Sequence, residues 1–389
     1  MFEYFPTGPY TWNLGVVATL NSGGLIDEVD RACRPIKDAA NAGEDAGTPD
    51  FLRAWTALTD QLVAQAEDAE KAGHVRTAGQ LYFRASNYLS QAERMLSHSD
   101  PDRLPTYRRM LEIAQKAFDT HSPRVSRVAV PYEGTTLPAY FSQAPGEGPH
   151  PVIVLVNGLD STKEHMYSSS HWEELAARGI SCLMLDQPGT GEALRLQGLT
   201  ARIDTEVWAG AAVDYLETRD DVDTSRIGIV GWSLGGYYAP RAAAFEKRFA
   251  LCVAWGANHD WGAVQRRRKE REGERPVPHY WSHVLWVWGK DGDENNLDAF
   301  LDFADDVNLE GVVEQITVPF LIAHGENDRQ IPLAMAHRSY EQAVNSPKRE
   351  LRVFTPEEGA TEHIGLDHLP HVSTFVADWV ADTFAELAR

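Results

Sequence analysis

The stretch "IGIVGWSLGGYYAP", residues 227–240, decides how this chain is read. An apolar run, Ile227–Val230, leads into Gly231-Trp232-Ser233-Leu234-Gly235, and a helix-like segment follows. A strand that turns sharply into a helix holds the serine between them in a strained conformation with its hydroxyl presented, and flanking glycines leave room for close backbone packing. A tight turn with no chemistry also fits Gly-x-Ser-x-Gly. Its place directly after a buried strand and before a helix makes Ser233 a candidate nucleophile.

The surrounding sequence repeats this rhythm. "PHPVIVLVNGLDST" (149–162), "GISCLMLDQPGTGEA" (179–193), "FALCVAWGA" (249–257) and "VPFLIAHGENDRQIP" (318–332) each run from apolar residues into a polar or glycine cluster. "ELRVFTPEEG" (350–359) is a further strand, and "RVSRVAVPYEGTTLPAYFSQAP" (124–145) alternates around Glu133–Gly134, which predicts a β-hairpin. Near-continuous apolar runs separated by helix-length segments predict an α/β fold around a mainly parallel, buried sheet. Ligand sites in such sheets lie beyond the carboxyl ends of the strands, where the polar clusters recur.

Upstream, the period is helical. In "DFLRAWTALTDQLVAQAEDAEKAG", Phe51, Trp55, Leu58, Leu62 and Ala66 form one stripe that ends at Gly73. Leu81, Ala85, Tyr88, Leu89, Ala92 and Met95 form a second, and "LPTYRRMLEIAQKAFD" supplies a third helix. Residues 1–123 therefore read as a helical domain, and 124–389 as the α/β domain. About sixty residues separate "CVAWG" from "VPFLIAHG", more than one crossover helix needs. The segment 259–310 reads as an insertion over the carboxyl edge of the sheet, a lid. It carries the basic run Arg266–Arg271, broken by Glu270 and read as a solvated helix face, then Trp281, Trp286, Trp288 and the acidic "ENNLDAFLDFADDV".

A serine hydroxyl needs a base, and the order expected for this architecture is serine, acid, histidine. Asp328 in "HGENDRQIP" is the candidate acid, with Glu326 as rival. In "EEGATEHIGLDHLPH", His363 is the candidate base, ahead of His368 and His371, which read as surface or helix-capping residues; His324 reads as structural. An oxyanion needs preorganised donors. The backbone N–H groups of Leu234 and of Leu159 are the candidates, with Gly158 in reserve. Trp232, His259, Asp260, Glu270 and Trp281 are candidate substrate-facing or lid residues. Packing between lid and body explains the tryptophans equally well.

Composition narrows the classes. Lys plus Arg total 36 against 57 Asp plus Glu, a formal charge of −21, which disfavours nucleic acid and anionic lipid surfaces as partners. The three cysteines, Cys33, Cys182 and Cys252, fit neither a disulfide framework nor a metal site. "MFEYFPTGPYTWNLGVV" has no basic start or continuous apolar core, so a cytoplasmic location is expected. "DQPGTGEA" lacks the spacing and lysine of a phosphate loop, so Gly189 and Gly191 read as turn residues.

With "NGLDSTKE", "DQPGTGE", "GWSLGGYYAPRAAA", "AWG", "HGENDRQIP" and the N-terminal "LYFRASNYLSQAER" in view, nearly the whole chain resembles the α/β-hydrolases related to 2,6-dihydroxypseudooxynicotine hydrolase. It is also similar to the fungal yellowish-green pigment hydrolases that shorten polyketides. The resemblance implies a Ser233–Asp328–His363 triad, a helical domain that helps cover the site, a small-molecule substrate, no cofactor, no metal and a homodimer. It implies hydrolysis of an activated ketone or acyl compound, with carbon–carbon cleavage of an aryl ketone or polyketide-like substrate as the leading reading. The histidine loop "EEGATEHIGLDH" departs from the nicotine enzyme's pattern, so the substrate-facing side of that loop is unassigned. Rivals are a carboxylesterase, thioesterase or lactonase with the same triad, an eliminase or cyclase of natural-product biosynthesis, and a binding module on an inactive hydrolase fold.

Overall fold

The apolar runs of the sequence form the strands of one eight-stranded sheet. The computed structural model describes residues 2–8, 10–42, 49–122, 124–159, 161–271, 279–290 and 296–389. Asp160 of "NGLDSTKE", part of the basic stretch after Arg271 and the start of "ENNLDAFLDFADDV" lie outside the described residues. The chain divides into two compact units, residues 1–126 with 271–286, and residues 127–270 with 287–389. Of the insertion expected over 259–310, the stretch 271–286 thus groups with the N-terminal helices and the remainder with the sheet.

The first unit holds α1 (Tyr10–Asn21), α2 (Ile26–Cys33), α3 (Lys37–Asn41), α4 (Pro49–Lys71), α5 (Val75–Arg94) and α6 (Arg103–His121). The stripe of α4 is buried at Phe51, Trp55, Leu58, Leu62 and Ala66, and that of α5 at Leu81, Ala85, Tyr88, Leu89 and Ala92. Met95 falls just past α5 and is half-buried. An aromatic column runs through this core: Phe5 on Trp12 at 5.4 Å, Trp12 on Phe51 at 4.9 Å, Phe51 on Trp55 at 5.9 Å and Trp55 on Tyr88 at 5.9 Å. Trp286 is stacked on His98 and lies under the guanidinium of Arg103, which the buried carboxylate of Glu93 holds at 2.8 Å.

The second unit begins with the hairpin β1 (Val125–Tyr132) and β2 (Thr135–Ser142). Its two turn residues, Glu133 and Gly134, both take positive φ, which matches the twist of the paired strands. There follow β3 (His150–Val156), α7 (Lys163–Ser168), α8 (His171–Ala177), β4 (Ser181–Leu185), α9 (Gly191–Gln197), α10 (Glu206–Glu217), β5 (Val222–Trp232), α11 (Gly235–Phe245) and β6 (Leu251–Trp255). Then come α12 (Trp261–Glu270), α13 (Tyr280–Val287, largely in the first unit), α14 (Leu297–Ala304), β7 (Phe320–Gly325), α15 (Leu333–Gln342), β8 (Arg349–Phe354) and α16 (Leu369–Leu387). The strand order is β1-β2-β4-β3-β5-β6-β7-β8. Only β2 against β4 is antiparallel among the pairs from β2 to β8. Strands β3, β4, β6 and β7 are buried at every residue, as helices on both faces of a parallel sheet require.

The basic run of α12 does not stand alone in solvent. Arg266 binds Asp302 at 3.0 Å and also Asp305, and Lys269 binds Asp298 at 2.6 Å, so α12 and α14 face each other through opposite charge. The three cysteines are buried and unbonded to one another. Among the described residues, no helix is long and apolar enough to cross a membrane.

Candidate active site

Ser233 sits between β5 and α11 with φ of 58°, in the left-handed region that a side chain enters only under constraint. The constraint is visible on both sides. The Ser233 N–H donates to Trp255 O at 2.9 Å, and the Gly236 N–H donates to Ser233 O at 2.7 Å. A Cβ at Gly231 would lie 2.0 Å from Gly235 O, so the elbow closes only with glycine there. The turn therefore lifts the hydroxyl off the sheet edge.

His363 Nε2 lies 2.8 Å from Ser233 Oγ. On its other side, His363 Nδ1 lies 2.9 and 3.0 Å from the two Asp328 oxygens. Asp328 follows β7, and its carboxylate is fully buried. The backbone N–H groups of Gln330 and Ile331 donate to Asp328 Oδ1 at 2.8 and 2.9 Å. Burial alone would favour the protonated acid. His363 and these donors outweigh it and hold Asp328 below its ordinary value. An ionised Asp328 can only accept, so the proton of His363 belongs on Nδ1 and Nε2 is free to take the proton of Ser233.

The loop that carries His363 is itself fastened. Ile364 and Gly365 both have positive φ, the Trp255 indole donates to Ile364 O at 2.9 Å, and Asp367 accepts from the N–H groups of Thr361 and Glu362 at 3.1 and 2.9 Å. These fasteners carry no periodic signature, and the sequence alone marked Trp255 only as part of "AWG" and gave neither it nor Asp367 a role. His324, beside Asp328, donates from Nε2 to Ile331 O at 3.0 Å, and burial pushes its pKa down. Burial favours its neutral form, and its Nε2 lies 3.9 Å from Asp328 Oδ2.

The remaining candidates are spread out. Glu326 is exposed, and its N–H pairs with Phe354 O. His368 and His371 stack on each other at 5.2 Å near Glu358. Leu234 is buried at the start of α11, where a helix leaves its first N–H groups without intrahelical partners. Gly158 touches the nucleophile: a Cβ there would lie 2.7 Å from Ser233 Cβ, which places the Asn157–Leu159 loop against the elbow. Trp232 is buried edge-to-face on Trp255 at 5.4 Å. His259 is buried against Ser339 at 3.0 Å, Asp260 accepts from Ala263 N–H at 2.9 Å, and Glu270 ends α12 exposed. The partners of His259 and Asp260 among the described residues do not include Ser233, His363 or Asp328. Trp281 lies with Tyr280 in the first unit. Among the described residues, no cluster of three or more His, Cys, Asp or Glu is arranged to hold a metal ion.

Comparison with known proteins agrees with the fold. A model described as "Alpha/beta hydrolase family" matches residues 153–383. The protein named 2,6-dihydropseudooxynicotine hydrolase, from Paenarthrobacter nicotinovorans, is 29% identical over 331 residues, covering 84% of this chain and 83% of that protein. The alpha/beta hydrolase ucsC of Acremonium sp is 32% identical over 274 residues, covering 64% of this chain; the chain spans 52% of that relative's length. The crystal structure of the 2,6-dihydroxy-pseudo-oxynicotine hydrolase superposes with a TM-score of 0.75 at 25% identity, covering 94% of this chain and 95% of that one.

Proposed function

Because the chain belongs to the alpha/beta hydrolase family, we propose that it is a serine hydrolase in which Ser233 attacks an activated carbonyl, with His363 as base and Asp328 as the residue that orients it. The observation that carries this reading is the unbroken line Ser233 Oγ–His363 Nε2 at 2.8 Å and His363 Nδ1–Asp328 at 2.9 Å. Proton transfer from Oγ to Nε2 accompanies attack, and the new oxyanion is received by the N–H groups of Leu234 and Leu159. The scissile bond then breaks, and the leaving group takes the proton from Nε2. Water, deprotonated by the same nitrogen, hydrolyses the acyl-serine and returns the enzyme.

The relative named 2,6-dihydropseudooxynicotine hydrolase supports a small-molecule hydrolase, and our reading of the substrate is an aryl ketone with an electron-rich ring. Carbon–carbon cleavage of such a ketone needs a leaving carbanion that the ring or a second carbonyl stabilises. An ester needs none, because its alkoxide leaves readily. Parallel assays with 1-phenyl-1,3-butanedione and p-nitrophenyl butyrate separate the two. Ketone cleavage that incorporates heavy oxygen from labelled water is the expected result; ester turnover without it would make the protein an esterase, and product without the label would make it an eliminase. A fluorophosphonate probe should label wild type and spare Ser233→Ala. Equal labelling of both would remove Ser233 from the mechanism.

A further inference from the structure

Strands β3 and β4 are paired up to Val156 opposite Leu185. Beyond that point the two chains part, yet Asn157 is still held on both its backbone groups. The Gln187 side chain donates from Nε2 to Asn157 O at 2.9 Å and accepts the Asn157 N–H on Oε1 at 3.2 Å. A side-chain amide carries a donor and an acceptor side by side, as a strand's peptide groups do. Gln187 therefore extends the ladder by one residue with a side chain. Asn157 and Gln187 are both fully buried, so neither bond has water as a substitute.

The far end of the same loop is fixed by charge. Asp186 accepts from Lys163 N–H at 2.7 Å, from Lys163 Nζ at 3.0 Å, from Glu192 N–H at 2.8 Å and from Asn157 Nδ2 at 3.2 Å. Lys163 Nζ also binds Glu192 at 3.0 Å and Glu164 at 2.7 Å, and its side chain is completely buried. The sequence "DQPGTGE" thus grips "NGLDSTKE" at Asn157 and at Lys163. Between the grips lies Gly158, in contact with Ser233.

We propose that Gln187 is a positioning residue for the reaction, setting the Asn157–Leu159 loop against Ser233, with the buried Asp186–Lys163 pair holding the loop's other end. The inference rests on Ser233 being the nucleophile. An error of about 1 Å in a group that acts on the transition state costs about 10²-fold in rate. Uniform binding of substrate is unaffected by such an error, so the loss belongs in kcat.

The test uses the full chain, with turnover of whichever of 1-phenyl-1,3-butanedione and p-nitrophenyl butyrate the wild type cleaves, and fluorophosphonate labelling. Gln187→Glu loses the donor to Asn157 O, and Gln187→Met keeps the volume but loses both bonds. For each variant that retains wild-type circular dichroism, kcat is expected to fall about 10²-fold with KM within about threefold, and labelling of Ser233 to slow in parallel. Unchanged kcat in a folded variant, or a raised KM with unchanged kcat, would overturn the inference. Loss of fold in both variants would also overturn it, since Gln187 would then be holding the fold and not the loop. Absence of labelling in wild type would instead sink the reading of Ser233 on which it stands.

Discussion

At the scale of the residue, the proposed chemistry depends on which nitrogen of His363 carries its proton. Asp328 accepts from two backbone N–H groups as well as from His363, and that donor set keeps it ionised inside a buried pocket. Asp328→Asn reverses the logic: the amide N–H can donate to Nδ1, which moves the proton to Nε2 and leaves Ser233 with no acceptor. We expect kcat to fall about 10⁴-fold with the fold intact, measured with p-nitrophenyl butyrate; a fall of less than about tenfold would remove Asp328 from the relay. The linkage has a definite sign. A carboxyl held below its ordinary value stabilises the fold above the unfolded pKa, about 3.9, and that contribution disappears as the pH falls through the lower folded value. Ser233, Asp328 and His363 were readable as a set because chain order and strand ends constrain them, and the three side chains do meet. Gln187, Asp186 and Lys163 were not readable as one. They meet through the parallel register of β3 and β4, and neither propensity nor periodicity encodes that register.

At the scale of the element, the striped helices α4 and α5 were easy to see and α1 was missed. Nine of the twelve residues of α1 are buried, so this helix offers no polar face against which a period could show. Stripe positions and charged faces should also differ in energetic weight. Trp55 is fully buried in the aromatic column, and Trp55→Ala should cost about 3–5 kcal/mol in urea unfolding. Arg266, whose partners Asp302 and Asp305 are solvent-accessible, should cost less than about 1 kcal/mol on replacement by alanine. Comparable losses for the two variants would mean that the α12–α14 charge pairing carries structural weight its exposure does not suggest. The sequence showed a basic run and an acidic helix some thirty residues apart. It could not show that they cancel each other, because pairing between helices depends on how the chain returns.

At the scale of the whole molecule, a buried histidine adds to the response to acid. His171 is fully buried, bonded to Ser373 at 2.7 Å and set edge-on to Trp255, and burial pushes its pKa down to about 3. In the unfolded chain the ordinary value is about 6.5. Between those values the unfolded state takes up a proton that the native state refuses. Stability therefore falls with falling pH, by up to about 1.4 kcal/mol per unit from this one group. His171→Asn should remove about 1.5 kcal/mol of the loss seen between pH 6.5 and 5 in urea unfolding; parallel slopes for wild type and variant would assign this part of the acid response elsewhere.

The division of the chain also bears on its biosynthesis. Residues 271–286 group with residues 1–126, so the N-terminal unit is not a continuous stretch of polypeptide. At a translation rate of about 5–20 residues per second, the first residue of its closing segment emerges roughly seven to thirty seconds after residue 126. During that interval the helices stand without the tryptophan that His98 and Arg103 enclose. The unit that opens earlier in this sequence is thus completed only by residues from within the later one. Truncation after residue 126 should yield helices with an open core, prone to associate with one another.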